Sequence, residues 1–168
     1  TWKERFPEFW PSGNVFYAPV TGIAPGEVAE LSMAVPGGVR LSTGVMVLYA
    51  DEESFTLMTP EGHMLAGWIT FSASERGEET VAQAHVLMRA SDPLFELGLT
   101  LFGHRQEDRF WQHTLRQVAT HFGAPDAPIE TQVTCVDAHR QWARWRNVRH
   151  SSALRARPAL RRRPPAQR

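Results

Sequence analysis

Cysteine is nearly absent. The single Cys135 in 168 residues excludes an intrachain disulfide, and no Cys/His grouping has metal-site spacing. No apolar run approaches the roughly 20 residues that a membrane-spanning helix needs. Also missing are G-x-S-x-G, H-E-x-x-H, a Walker-type loop and G-x-G-x-x-G, the signatures of serine hydrolases, zinc peptidases, phosphate-loop enzymes and dinucleotide-binding proteins. Neither a metal nor a redox cofactor is expected. Nothing near Thr1 resembles a charged head followed by an apolar core, so no export signal is expected, and the absent initiator Met suggests processing or a truncated start. With one cysteine, the expected location is the cytoplasm. Cys135 reads as a small buried residue, because no partner base can be named for it.

A hydrophobic fraction of 42% with 21% charged residues is ordinary for one globular domain. The zero net charge hides an asymmetry: residues 1–128 carry 8 Lys/Arg against 16 Asp/Glu, and residues 129–168 carry 10 Arg against 2 acids. The segment RARPALRRRPPAQR at 155–168 has no apolar face and is expected to be disordered, solvated or lying on the acidic body; a weak contact with an anionic partner is the other reading.

Residues 1–26 are rich in Trp, Phe, Pro and Gly and yield only a short helix or turn and a strand near Asn14–Ala18. From Glu27 the period becomes two. Ala29, Leu31, Met33 and Val35 share a face, as do Val45, Val47 and Tyr49, then Phe55 and Leu57, then Leu65, Gly67, Ile69 and Phe71, with Trp68 on the opposite side. In the last strand His85 and Arg89 either line an interior or face solvent, and the opposite face of Ala82, Ala84, Val86 and Met88 is the more apolar. His63 follows a Glu-Gly turn and reads as a turn residue. Five strands with short connections pair only as an antiparallel meander.

At Asp92 the period changes to 3.6. Asp92 suits the N-cap, Pro93 the first helical position and Glu96 the positive end of the dipole, while Gly123 and Pro125 supply a stop, giving a helix of roughly 30 residues. Its stripe runs Leu94, Leu97, Leu101, His104, Asp108, Trp111, Leu115, Val118, Phe122, with the adjacent exceptions His104 and Asp108 at i and i+4. Burying an unpaired carboxylate costs several kcal/mol, so Asp108 needs His104, or Arg105 or Arg109 from the flank. One reading is a satisfied pair, or a helix curved so that this turn meets solvent. The other is a cavity between sheet and helix in which these polar groups orient a ligand. Phe95, Leu99 and Phe102 need a second surface: a helix at AHRQWARWRNVR carrying Trp142 and Trp145, a partner subunit in a homodimer, or a lipid. Residues 129–136 read as an edge strand or an extended segment.

A strand meander followed by one long C-terminal helix resembles the helix-grip fold of the START-like/SRPBCC superfamily, with its pollen-allergen-like, polyketide-cyclase-like and lipid-transfer domains. FTLMTPEGHMLAGWITFSA and RASDPLFELGLTLFGHRQEDRFWQHTLRQVATHFG resemble bacterial members, over residues 27–123 and, with RQWARWRNVRHSSALR, to about residue 155. The resemblance implies an α+β fold in which a curved antiparallel β-sheet wraps around a long C-terminal α-helix, with a ligand-holding cavity between them. Such domains usually begin with a strand and two short helices, for which 26 residues are short. The expected organisation is 1–26 as an N-terminal segment, 27–123 as the helix-grip domain, 124–154 as a Trp/Arg-rich extension and 155–168 as a basic tail. The expected function is binding of a hydrophobic small molecule or lipid, lined by Leu101, His104, Arg105, Asp108, Arg109, Trp111, Trp68, His85 and Arg89. The alternatives are a cyclase- or hydratase-like enzyme with His104 and Asp108 as its acid–base pair, or an interaction protein acting through the Arg-rich tail.

Overall fold

The change of hydrophobic period at residue 92 divides sheet from helix in the computed structural model. It describes residues 2–35, 39–155 and 157–158, apart from the side chains at 35, 39, 102–104, 155, 157 and 158. The fold is α+β. Strands β1 (Val15–Tyr17), β2 (Val28–Val35), β3 (Val39–Ala50), β4 (Ser54–Met58), β5 (Leu65–Arg76) and β6 (Glu79–Ala90) form an open antiparallel sheet in sequence order. The helices are α1 (Trp2–Arg5), α2 (Pro93–Gly98) and α3 (His104–His121); a 3₁₀ segment at Phe6–Phe9 follows α1, and two more, Gln141–His150 and Ser152–Arg155, come after α3.

Alternation decides which face is buried. Ala29, Leu31, Val45, Val47, Phe55, Leu57, Ile69 and Phe71 point into one core. Register confirms the assignment of the last strand: Ile69 pairs with Val86 and Phe71 with Ala84, so the Ala82, Ala84, Val86 face looks inward. A register shift between Val47 and Tyr49 breaks the alternation of β3, which turns Tyr49 out to solvent instead of into the shared face.

The N-terminal segment closes over this face. Trp2, Phe6, Phe9 and Phe16 are buried in the same core. Phe6 makes edge-on contacts with Phe16, Phe55 and Phe71 at ring-centroid distances of 5.0, 5.1 and 4.8 Å. Aromatic rings thus fill much of the space between sheet and helix.

The expected single long helix is interrupted. Asp92 caps α2 as expected, its Oδ1 accepting from the Leu94 and Phe95 backbone N–H groups at 2.8 and 3.0 Å. Residues Leu99–Gly103 then form a π-helical turn. Its i→i+5 pattern takes up an extra residue and resets the phase of the following helix. Leu94, Leu97 and Leu101, before and within this turn, lie in solvent rather than on the sheet, whereas Trp111, Leu115 and Val118 of the same stripe pack on the core; Phe122 is exposed.

Other expectations change near the C-terminus. Residues 129–136 form no strand, and Cys135 is exposed. The Trp142/Trp145 segment is 3₁₀ rather than α-helical, and both indoles remain half in solvent. Of the segment expected to be disordered, the backbone of Arg157–Pro158 pairs with Val39–Arg40 as a short strand, β7. The physical reason lies in strand length: β4 reaches only Met46–Ala50 of β3, so the earlier part of β3 keeps an open edge. Residues 159–168 lie outside the described residues. Among the described residues no helix is long and apolar enough to cross a membrane.

Candidate functional site

The polar group on the inner side of α3 is Glu107, one residue before the expected Asp108. After the π turn the inward face of α3 reads Glu107, Trp111, Thr114, Val118, at spacings of 4, 3 and 4. Thr114 and Val118 are buried, and Thr114 donates to the Phe110 carbonyl at 3.1 Å. Trp111 Nε1 donates to Glu107 Oε1 at 3.4 Å, while Glu107 Oε2 is buried with no hydrogen-bond partner among the described residues. Burial pushes the Glu107 carboxyl up to about 7; the bond from Trp111 opposes this and the neighbouring Asp108 charge adds to it.

Around this carboxyl the core is aromatic. Trp111 touches Phe71 at 5.6 Å, Phe110 at 4.8 Å and Trp10 at 6.5 Å, and Trp2 touches Phe71 at 5.5 Å. The Nε1 atoms of both Trp2 and Trp10 are buried without an acceptor among the described residues. Two N–H donors and one carboxyl oxygen in this cluster thus have no partner among the described residues. Each costs about 1–3 kcal/mol relative to a hydrogen-bonded state. Ala82, Ala84 and Val86 on the inner face of β6 are only half-buried, so the β6 side of this interior meets solvent.

The other expected site residues are scattered. Asp108 lies at the flank of α3, half-buried, with no hydrogen bond or ion pair to any described residue. The side chain of His104 lies outside the described residues. Arg105 and Arg109 are exposed, as is Leu101. His85 and Arg89 face solvent, opposite the inner face of β6. Trp68 is on the outer face of the sheet, where it lines a surface cleft of about 350 Å³ with Met58, Pro60, Ala66 and Asn147. Among the described side chains of this set, only Trp111 joins the interior cluster.

His63 is a turn residue, as the Glu-Gly sequence suggests, and it is buried. Its Nδ1 accepts from the Leu65 backbone N–H at 3.0 Å, and burial pushes its pKa down to about 4, so the ring is neutral. Among the described residues no group of His, Cys, Asp and Glu is placed to hold a metal ion. No family model matches the chain, and no similar protein was found among curated proteins or solved structures.

Proposed function

We propose that this chain is a START-like domain whose sheet grips the C-terminal helix, and that it binds an apolar small molecule or lipid carrying a hydrogen-bonding head. The body of the ligand lies against Phe71, Val86 and Trp111, and its head meets Glu107 and the indole N–H groups of Trp2 and Trp10. The observation that carries this reading is that Glu107 Oε2 and the Trp2 and Trp10 indole N–H groups, linked through ring contacts with Phe71 and Trp111, are all buried without a partner among the described residues. A neutral carboxyl both donates and accepts, and an indole N–H donates, so a hydroxyl or carbonyl head suits the set. The half-buried inner face of β6 supplies the way in.

Native mass spectrometry of the purified chain before and after organic extraction, with a fluorescence titration using the neutral probe N-phenyl-1-naphthylamine, tests the reading. A stoichiometric adduct, or saturable probe binding weakened by Trp111→Ala, is the expected result. A clean mass with no saturable binding would overturn it.

A second reading is favoured by one observation, the Glu107 carboxyl near 7, the range in which a general acid–base works best at neutral pH. In that case Glu107, not His104 with Asp108, moves the proton in a cyclase- or hydratase-like reaction. Glu107→Gln separates the two: probe affinity stays within a few fold if the site only binds, whereas turnover falls about 10²-fold or more if Glu107 is catalytic.

A further inference from the structure

We infer that the surface built from α2 and the Gln141–His150 segment docks on an anionic lipid bilayer. This rests on the outside of the molecule and holds whether or not the interior carries a ligand. The two elements lie side by side and antiparallel: Gln141 N donates to Glu96 Oε2 at 2.6 Å, Arg140 Nη1 to Thr100 Oγ1 at 3.2 Å, and Asn147 Nδ2 to the Ser91 carbonyl at 3.0 Å. These tethers fix a surface that remains apolar in solvent. Trp142 and Trp145 are 47% and 57% exposed, and Leu97 and Leu101 on the neighbouring helical segment are 48% and 60% exposed. Single exposed apolar residues are ordinary, but two tryptophans and a leucine row on adjoining elements are not.

Charge selects the occupant. Arg144, Arg146 and Arg149 are exposed on the same segment as the tryptophans. Glu96, the acid between the two elements, is already held by Gln141 and by Arg140 at 3.7 Å. The acidic turn Glu75–Glu79 sits at the opposite end of β6, roughly 11 residue steps or about 36 Å away, several screening lengths at physiological salt. Glu61 lies at the same end, 3.4 Å from His150, and Asp137 pairs with His139 at 2.6 Å, so the face keeps Arg144, Arg146 and Arg149 as an excess of exposed cations beside the tryptophans. Indoles settle at the headgroup level of a bilayer, arginine stems lie along apolar surface while their guanidinium groups reach phosphate, and each basic residue adds affinity for anionic lipid.

The test is cosedimentation of the full chain with vesicles of phosphatidylcholine alone and of equimolar phosphatidylcholine and phosphatidylglycerol, at low and high salt. Binding to the anionic vesicles only, reduced by high salt, is expected. The pairs Trp142→Ala with Trp145→Ala and Arg146→Gln with Arg149→Gln should each weaken it by about 10-fold or more, with Arg146→Lys and Arg149→Lys restoring it. Circular dichroism and thermal melting unchanged by the pairs show that the variants fold. Failure to sediment with either vesicle, equal binding to both, variants that bind as the parent does, or binding to nucleic acid in place of vesicles would each overturn the inference.

Discussion

Glu107→Gln isolates one buried ionisation from another of opposite sign. The folded-state pKa of Glu107 is raised from 4.5 to about 7, so between those values the folded chain holds a proton that the unfolded chain has lost. Stability contributed by this group is therefore complete below about 4.5 and falls as pH rises through 7, by about 3 kcal/mol at 1.36 kcal/mol per pH unit. His63 works the other way. Its folded pKa is lowered from 6.5 to about 4, so the unfolded chain holds the extra proton and stability rises with pH from 4 to 6.5, by a comparable amount. In the parent protein the two slopes nearly cancel between about 4.5 and 6.5. In Glu107→Gln, which keeps an oxygen acceptor for Trp111 and loses the charge, only the His63 slope remains. Urea unfolding of both proteins at a series of pH values reads the difference directly, since every other titrating group is common to both. The variant should gain about 3 kcal/mol relative to the parent between pH 4.5 and pH 8. A difference that stays flat across that range would refute the buried, protonated Glu107.

Three further outcomes are expected. Phe6→Ala, which empties a fully buried ring site between Phe16, Phe55 and Phe71, should cost about 3–5 kcal/mol by chemical denaturation. Gly67→Ala should destabilise by at least about 3 kcal/mol or prevent folding, because its Cβ would lie 2.0 Å from the Leu87 carbonyl oxygen at a φ of 155°; a normal melting temperature would contradict this register of β5 on β6. Asp92→Ala should cost about 1–2 kcal/mol, since the side chain caps two backbone N–H groups at the start of α2, and Asp92→Asn should recover most of the loss.

The strands were legible because each turns on a strict alternation bounded by Gly, Pro or acidic turns, and the inward residues of β2, β4, β5 and β6 follow from it. Tyr49 escaped because a bulge changes the face without changing the composition of the strand. The helix was legible in extent, in its N-cap and in part of its inward face, since Trp111, Leu115 and Val118 pack on the core as the stripe has them, but not in its first half or in its polar position. Two stripes fit a 3-and-4 spacing along α3, one through Asp108 and Leu115 and one through Glu107 and Thr114. The two share Trp111 and Val118, and Leu115 of the more apolar one packs on the core as well, but the polar group that accompanies them inward is Glu107, with Thr114 buried beside it. No periodicity argument reveals the extra residue of the π turn, so the candidate carboxyl fell one position away. The N-terminal segment carried a readable signal of burial: Trp2, Phe6, Phe9 and Trp10 recur at helical spacing, and the structure buries three of them outright. What hid their role was the break at Pro7, which turns α1 into a 3₁₀ segment and leaves no periodic element long enough to recognise.

The most direct test of the interior site is a carbon-detected NMR titration of the glutamate side-chain carboxyl groups, with and without N-phenyl-1-naphthylamine. One carboxyl, lost in Glu107→Gln, should titrate near 7, and its resonance should move when the probe binds. A Glu107 carboxyl that titrates near 4.5 and is blind to the probe would contradict the account.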